Sequence, residues 1–325
     1  MKMGYIGGFW STNIGNSFYN LGALWLLREV FGKENVSFVP DPPQVYWSTL
    51  REDYDLIPKL DLDMVIVSGP ILGVALEKIY GKRFDEIAAN GGQIGFLSAG
   101  AIAYTEKEAD SVSQFLNKYP ISFVFTRDSV TYELYKDRLN THVYDGLCTS
   151  MFLNDAITPP DVNDKYVVFN FSYFLHDPEI TKTNEDWVVR KSIFKKAQEK
   201  FMSYPVVRIK SSPYIPNIKY FRSTKFVFPR KNMYFSDLPY GYLSILKSSK
   251  YIFSDRVHTC AAGLIFGSKC MYVKGGKRSN DGRNNLFARL NLPDIYERPV
   301  SLDFDYIESE KEKMKRELLL VLNEL

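Results

Sequence analysis

Three unbroken apolar runs recur in the first half of this 325-residue chain, each stopped by small or polar residues. Met64–Val67 stops at Ser68-Gly69-Pro70, Ile94–Leu97 at Ser98-Ala99-Gly100, and Phe123–Phe125 at Thr126-Arg127-Asp128. Each is followed by a segment compatible with a helix. Runs that are apolar throughout suit strands buried on both faces, and strands that alternate with helices build a parallel sheet. Gly4–Gly7, Val36–Val39 and His142–Tyr144 extend the series. Between the first two, Ser17–Phe31 places Phe18, Leu21, Trp25 and Val30 at helical spacing, with Gly32 as its stop. Pro40, Pro42 and Pro43 then open an irregular excursion that reaches Leu60.

The alternation breaks over Asn154–Asp164, a polar stretch with Pro159-Pro160, and then restarts. Tyr166–Phe171, Pro205–Ile209, Lys225–Phe228, Tyr251–Phe253 and Lys269–Val273 read as strands. Glu185–Phe201 reads as a basic helix, Asp237–Lys247 as a helix capped by Ser236 or Asp237, and Arg256–Gly267 as an Ala- and Gly-rich helix. Tyr306–Leu325 is a charged amphipathic helix. The expected layout is α/β, with two Rossmann-like lobes over 1–155 and 165–305, parallel sheets facing a cleft, and a C-terminal helix over 306–325. Ligands of such a layout sit between the lobes.

Bulk properties narrow the function. Net charge is only +3, which argues against a nucleic-acid binder. The charge is uneven, however: Lys182–Lys231 holds 13 Lys and Arg against 3 Asp and Glu. That excess suits either an anionic ligand or membrane surface, or a solvated basic face. Cys148, Cys260 and Cys270 form no Cys-x-x-Cys pair and read as buried small hydrophobes rather than a disulfide framework. His142 and His176 have no partners at metal-ligand spacing, so no metal site is expected. The opening residues are too short and interrupted for a signal peptide, and no apolar run approaches the ~20 residues of a membrane span. A soluble cytoplasmic protein is expected.

The strongest chemical signal is Ser254-Asp255-Arg256-Val257-His258, where a strand hands over to a helix. Open α/β sheets bind ligands at such carboxyl edges, and a helix N-terminus with a nearby guanidinium favours an anion. His258 adds a group that exchanges protons near neutral pH. Arg127-Asp128 occupies an equivalent position, where Arg127 faces a ligand or simply pairs with Asp128 as the helix cap. Asn13-Ile14-Gly15-Asn16 sits between the first strand and its helix, where Gly15 permits close backbone approach or merely forms a capped turn. Lys274, Lys277, Arg278 and Arg283 crowd a Gly-rich segment after the last core strand, either an anion clamp or an exposed loop. Neither a GxGxxG nor a Walker A motif is present.

In this order these elements resemble the polysaccharide pyruvyl transferase family. The resemblance rests on Asn13-x-Gly15, Thr126-Arg127-Asp128-Ser129-Val130 with Tyr144-Asp145, Ser254-x-Arg256-x-His258 followed by Gly267, and the Lys274–Arg283 loop. Two positions depart from it: Asn16 stands where members commonly have an acidic residue, and Ser68-Gly69-Pro70-Ile71 where they commonly have a run of glycines. The resemblance implies a GT-B-like fold and transfer of pyruvate from phosphoenolpyruvate to two sugar hydroxyls as a ketal, with no further cofactor. It implies that His258 and Arg256 are catalytic, and that Arg256, Arg127, Lys274, Lys277 and Arg278 hold the donor. Asn13, Gly15, Asn16, Ser68 and Gly69 would face the acceptor, a sugar or lipid-linked oligosaccharide, with the basic second lobe at the inner membrane face. A nucleotide-sugar glycosyltransferase and a non-catalytic glycan-binding member are the alternatives.

Overall fold

The computed structural model describes residues 1–7, 13–40, 57–162, 165–171, 179–182, 187–190, 200–201, 204–209, 233–234, 236, 238–274 and 282–324. The first lobe runs β1 (Met3–Gly7), α1 (Ile14–Phe31), β2 (Val36–Pro40), β3 (Met64–Leu72), α2 (Leu76–Ala89), β4 (Gln93–Ala101), α3 (Glu106–Leu116), β5 (Ile121–Thr126), α4 (Ser129–Tyr135) and β6 (His142–Tyr144). Its six strands pair in the order β2-β1-β3-β4-β5-β6, every pair parallel. The apolar runs are the middles of these strands: Met64–Val67 and Phe123–Phe125 are almost wholly inaccessible. A parallel sheet with helices on both faces buries both sides of each strand, which is why these runs do not alternate with polar residues.

A short helix α5 (Leu153–Ala156) leads to the second lobe. This comprises β7 (Tyr166–Asn170), β8 (Glu179–Lys182), β9 (Trp187–Arg190), β10 (Lys200–Phe201), β11 (Tyr204–Ile209), β12 (Met233–Tyr234), α6 (Pro239–Ser248), β13 (Ser249–Ser254), α7 (Val257–Ile265), β14 (Lys269–Tyr272) and α8 (Asn285–Arg289). Its main sheet has the order β10-β11-β7-β13-β14, with β12 also on β11 and only β10 antiparallel. The helix expected over Glu185–Phe201 is corrected: 187–190 pairs with 179–182 in an antiparallel ribbon, and 200–201 is a strand. Its Trp187-Val188-Val189 core is β-branched and aromatic, a composition that favours strands over helices. The strand expected at Lys225–Phe228 and most of the basic stretch lie outside the described residues, as does His176. Helix α6 starts at Pro239, with Leu238 at its N-cap and no side-chain cap; Ser236 instead accepts from the Leu238 N–H at 3.0 Å. Proline supplies the fixed φ that the first helical turn needs.

The two lobes share one core. Ile14, Phe18 and Leu26 of α1 pack in the same cluster as Cys260, Ala261 and Leu264 of α7. The terminal helix α9 (Phe304–Asn323) starts at Asp303, whose carboxylate accepts from the Tyr306 N–H, and returns to the first lobe. There Lys311, fully buried, lies 2.5 Å from Asp155 and above the Phe152 ring. Ile307, Met314, Leu318 and Val321 are buried beside it, each worth about 1.5–3 kcal/mol relative to exposure. Among the described residues no helix is long and apolar enough to cross a membrane.

Candidate functional site

The turn from β13 into α7 is set by one hydroxyl. Ser254 Oγ donates to the Asn170 carbonyl at the end of β7 (2.7 Å) and accepts from the Arg256 N–H (2.9 Å). Thr259 Oγ1 donates to the Asn170 side chain at 2.7 Å from the first turn of α7. These bonds hold the start of α7 against the carboxyl edge of the sheet. Arg256 is thereby the N-cap, in an extended conformation, and His258 the second helical residue. His258 faces the first lobe, and Arg256 lines the same cavity.

From the first lobe, the N-terminus of α1 comes to meet them. Asn13 is its N-cap and its amide donates to the Asn16 side chain at 3.0 Å. A side chain on Gly15 would place its Cβ 3.3 Å from His258 Cβ, so glycine lets the two helix ends approach. The Tyr19 ring, one turn on, lies 5.0 Å from the imidazole, tilted by 55°. A narrow cavity of about 70 Å³ remains between the lobes, lined by Asn13, Asn16, Arg127, Arg256, His258 and Arg283 among others.

Arg127 reaches this cavity although it is buried. The pairing of Arg127 with the capping Asp128 is present: Asp128 caps α4 by accepting from the Thr131 N–H at 2.8 Å and sits 3.4 Å from Arg127 Nε. The guanidinium packs on Gly100 of β4, where an added Cβ would clash with Nε and Cζ. Its NH2 group donates to Tyr104 Oη at 2.9 Å, and that hydroxyl donates to Asp128 at 3.1 Å. Tyr104 has a second role. Its ring packs on Gly282, so closely that a Cβ there would be 2.4 Å from Cδ2. Arg283, the next residue, lines the cavity. One aromatic side chain of the first lobe therefore touches an arginine from each lobe or its immediate neighbour.

The electrostatics follow from this crowding. His258 Nε2 is buried without a hydrogen-bond partner. Burial first, then the guanidiniums of Arg127, Arg283 and Arg256, push the imidazole pKa down to about 3. At neutral pH the ring is neutral, facing three fixed positive charges. One carboxylate, Asp255, joins them among the described lining residues. Fixed cations enclosed by low-dielectric walls make a site for a compact, multiply charged anion.

Of the residues expected from sequence, Asn13, Gly15, Asn16, Arg127, Arg256 and His258 are brought together here. Ser68 and Gly69 are not: Ser68 lines a neighbouring crevice, and Gly69, at φ 95°, packs on the Tyr19 hydroxyl. Lys274 is not among the residues lining this cavity. Its Nζ lies 3.7 Å from the centre of the Tyr296 ring, a cation–π contact. Lys277 and Arg278 lie outside the described residues. The sequence reading does not anticipate Tyr104, and it names Pro70 only as a departure from the family pattern, whereas Pro70 lines the cavity. Tyr104 stands beyond the strand end in a left-handed backbone conformation, at φ 56°, and no sequence pattern marks its contact with Gly282. Cys148, Cys260 and Cys270 are buried and free, and His142 Nε2 pairs with Glu317 at 2.9 Å.

A family model described as polysaccharide pyruvyl transferase matches residues 13–274, which span every first-lobe and β13–α7 element of this site. No curated protein matches the chain in sequence. Among solved structures the chain is similar to an S. aureus MnaA–UDP complex, with a TM-score of 0.53, 14% identity, and coverage of 100% of this chain and 98% of that one. It is also similar to UDP-GlcNAc 2-epimerase from Neisseria meningitidis bound to UDP-GlcNAc, with a TM-score of 0.50, 10% identity, and coverage of 98% and 100%. At such identities the likeness is one of fold, and that fold is GT-B-like.

Proposed function

From the premise that this chain belongs to the polysaccharide pyruvyl transferase family, we propose that it transfers pyruvate from phosphoenolpyruvate to two hydroxyls of a sugar, forming a cyclic ketal. The observation that carries the reading is the neutral, unpartnered imidazole of His258 enclosed by Arg127, Arg256 and Arg283. Phosphoenolpyruvate is a small acid with a carboxylate and a phosphate, and planar guanidinium forks suit both.

The charge balance suggests the order of events. Binding of the anionic donor offsets the three guanidiniums and raises the affinity of His258 for a proton. His258 then gives that proton to the methylene carbon of the donor. The adjacent carbon becomes electrophilic and a sugar hydroxyl attacks it, its proton returning to the imidazole. Phosphate departs with the bridging oxygen, and the second hydroxyl closes the ketal while its proton leaves with phosphate. Arg256, at the helix N-cap beside His258, and Arg127, from the opposite lobe, hold the two ends of the donor and stabilise the departing phosphate.

The test is direct. Phosphoenolpyruvate should raise the melting temperature of the wild type, since a ligand that binds only the folded state stabilises it. His258→Ala should keep that shift and lose at least ~10²-fold in acceptor-dependent phosphate release, the usual scale for a positioned proton shuttle. No stabilisation by phosphoenolpyruvate, or undiminished turnover in the variant, would refute the proposal.

A further inference from the structure

A second cavity, of about 290 Å³, adjoins the cationic one at the carboxyl ends of β3 and β4. The two share Asn16 and Pro70. Its place follows from topology. The strand order β2-β1-β3-β4-β5-β6 sets β2 on one side of β1 and β3 on the other, so the connections from β1 and β3 diverge. A crevice opens between α1 and α2 at that switch point, where open parallel sheets take ligands.

The walls of this crevice contrast with those of its neighbour. Ile71, Val74, Leu76, Ile79 and Ile102 make it aliphatic, and Val74 at 72% and Ile102 at 39% exposure present apolar surface at the rim. Among the described lining residues there is no lysine or arginine. The one carboxylate, Glu108, is already committed to the backbone N–H groups of Ile102, Ala103 and Tyr104 at 2.8–3.1 Å. Ser68 Oγ is buried without a hydrogen-bond partner. A charged group entering here would meet no counter-ion and lose its water, whereas an apolar group would cover exposed aliphatic surface.

We propose that this crevice holds the acceptor through an uncharged pyranose bearing a methyl group, as in an acetamido sugar, with Ser68 Oγ bonded to one of its polar atoms. The reacting hydroxyls then pass Asn16 into the cavity that holds His258. This rests on the pyruvyl-transfer reading and adds to it the chemical class of the acceptor: neutral acetamido sugars are taken, uronic acids and phosphosugars are refused.

Saturation-transfer NMR tests this with the methyl glycosides of N-acetylglucosamine, N-acetylgalactosamine and N-acetylmannosamine, against methyl glucuronide and methyl galacturonide. At least one acetamido glycoside should give a signal strongest on its acetyl methyl, and the uronides none. Val74→Trp fills the crevice from its exposed rim and should reduce the signal at least fivefold without altering the circular dichroism. Ser68→Ala should weaken it by a smaller factor. Equal signal in V74W and wild type, equal binding of the uronides, or no acetamido glycoside bound by the wild type each overturns the inference. Phosphoenolpyruvate titrated into the same samples reads the donor cavity separately. V74W should keep its phosphoenolpyruvate shift, and loss of that shift would also overturn the claim of a separate crevice. A wild type unmoved by phosphoenolpyruvate that still gives the methyl signal sinks the donor reading and supports this one.

Discussion

The contact between Tyr104 and Gly282 gives the sharpest prediction. Replacing Gly282 by alanine puts Cβ 2.4 Å from Cδ2, 2.7 Å from Cγ and 2.8 Å from Cε2 of the Tyr104 ring. Carbon atoms rest at about 3.5–4.0 Å, so ring and loop must separate by about 1 Å. Gly282 does not occupy the left-handed region, so the penalty comes from the ring rather than the backbone. Overpacking of this kind costs about 1–3 kcal/mol. Because the strain falls on the arrangement that brings Arg283 to the cavity, phosphoenolpyruvate affinity should fall roughly 5- to 150-fold. The second half of the prediction is compensation. In a Tyr104→Ala background the obstructing ring is gone, and Gly282→Ala should cost no more than about 0.5 kcal/mol, the usual error of additivity between independent sites. Calorimetric titration of phosphoenolpyruvate into wild type, both single variants and the double variant closes the cycle. If Gly282→Ala is equally harmful in both backgrounds, the two residues do not act through their contact, and the role given to Tyr104 fails.

Other outcomes follow from the same site. His258 takes a proton at about 6.5 when unfolded and near 3 when folded, so between those values the unfolded chain binds more protons and stability rises with pH. At pH 5 the folded state should be penalised by up to about 2 kcal/mol, and His258→Asn should flatten that part of a urea-unfolding pH series; parallel slopes would contradict a buried neutral ring. Donor binding should take up protons near pH 6.5, seen as a binding enthalpy that varies with the ionisation enthalpy of the buffer; no variation would mean the imidazole stays neutral. Tyr104→Phe removes the hydroxyl that joins Arg127 to Asp128 and should raise the donor KM more than it lowers kcat, whereas an equal fall in kcat would assign the hydroxyl to the chemical step. Gly100→Ala displaces the Arg127 guanidinium and should weaken donor binding by about tenfold or more, with little change if Arg127 does not touch the donor.

Much of this protein is readable along the chain. The apolar runs at Met64, Ile94, Phe123 and Tyr251 specify buried parallel strands because a two-faced sheet leaves no position for water, and that constraint is local. The same holds for the strand ends: the placement of Arg127 and Arg256-x-His258 is legible because a polar group directly after a buried strand must emerge at the carboxyl edge. Locality also explains the errors. Trp187–Arg190 sits in a charged, helix-length stretch, and only pairing with Glu179–Lys182 makes it a strand. The contact of Lys274 with the Tyr296 ring, which packs on Tyr272 and Phe287, has no mark in the sequence either. What tertiary structure alone decided is the meeting of the lobes. Gly15 against His258 joins residues 243 positions apart, and Tyr104 against Gly282 joins residues 178 apart. The depressed basicity of His258 arises first from its burial and then from three guanidiniums, both of which only folding brings about, since desolvation and electrostatic coupling depend on surroundings in space and not on separation along the chain.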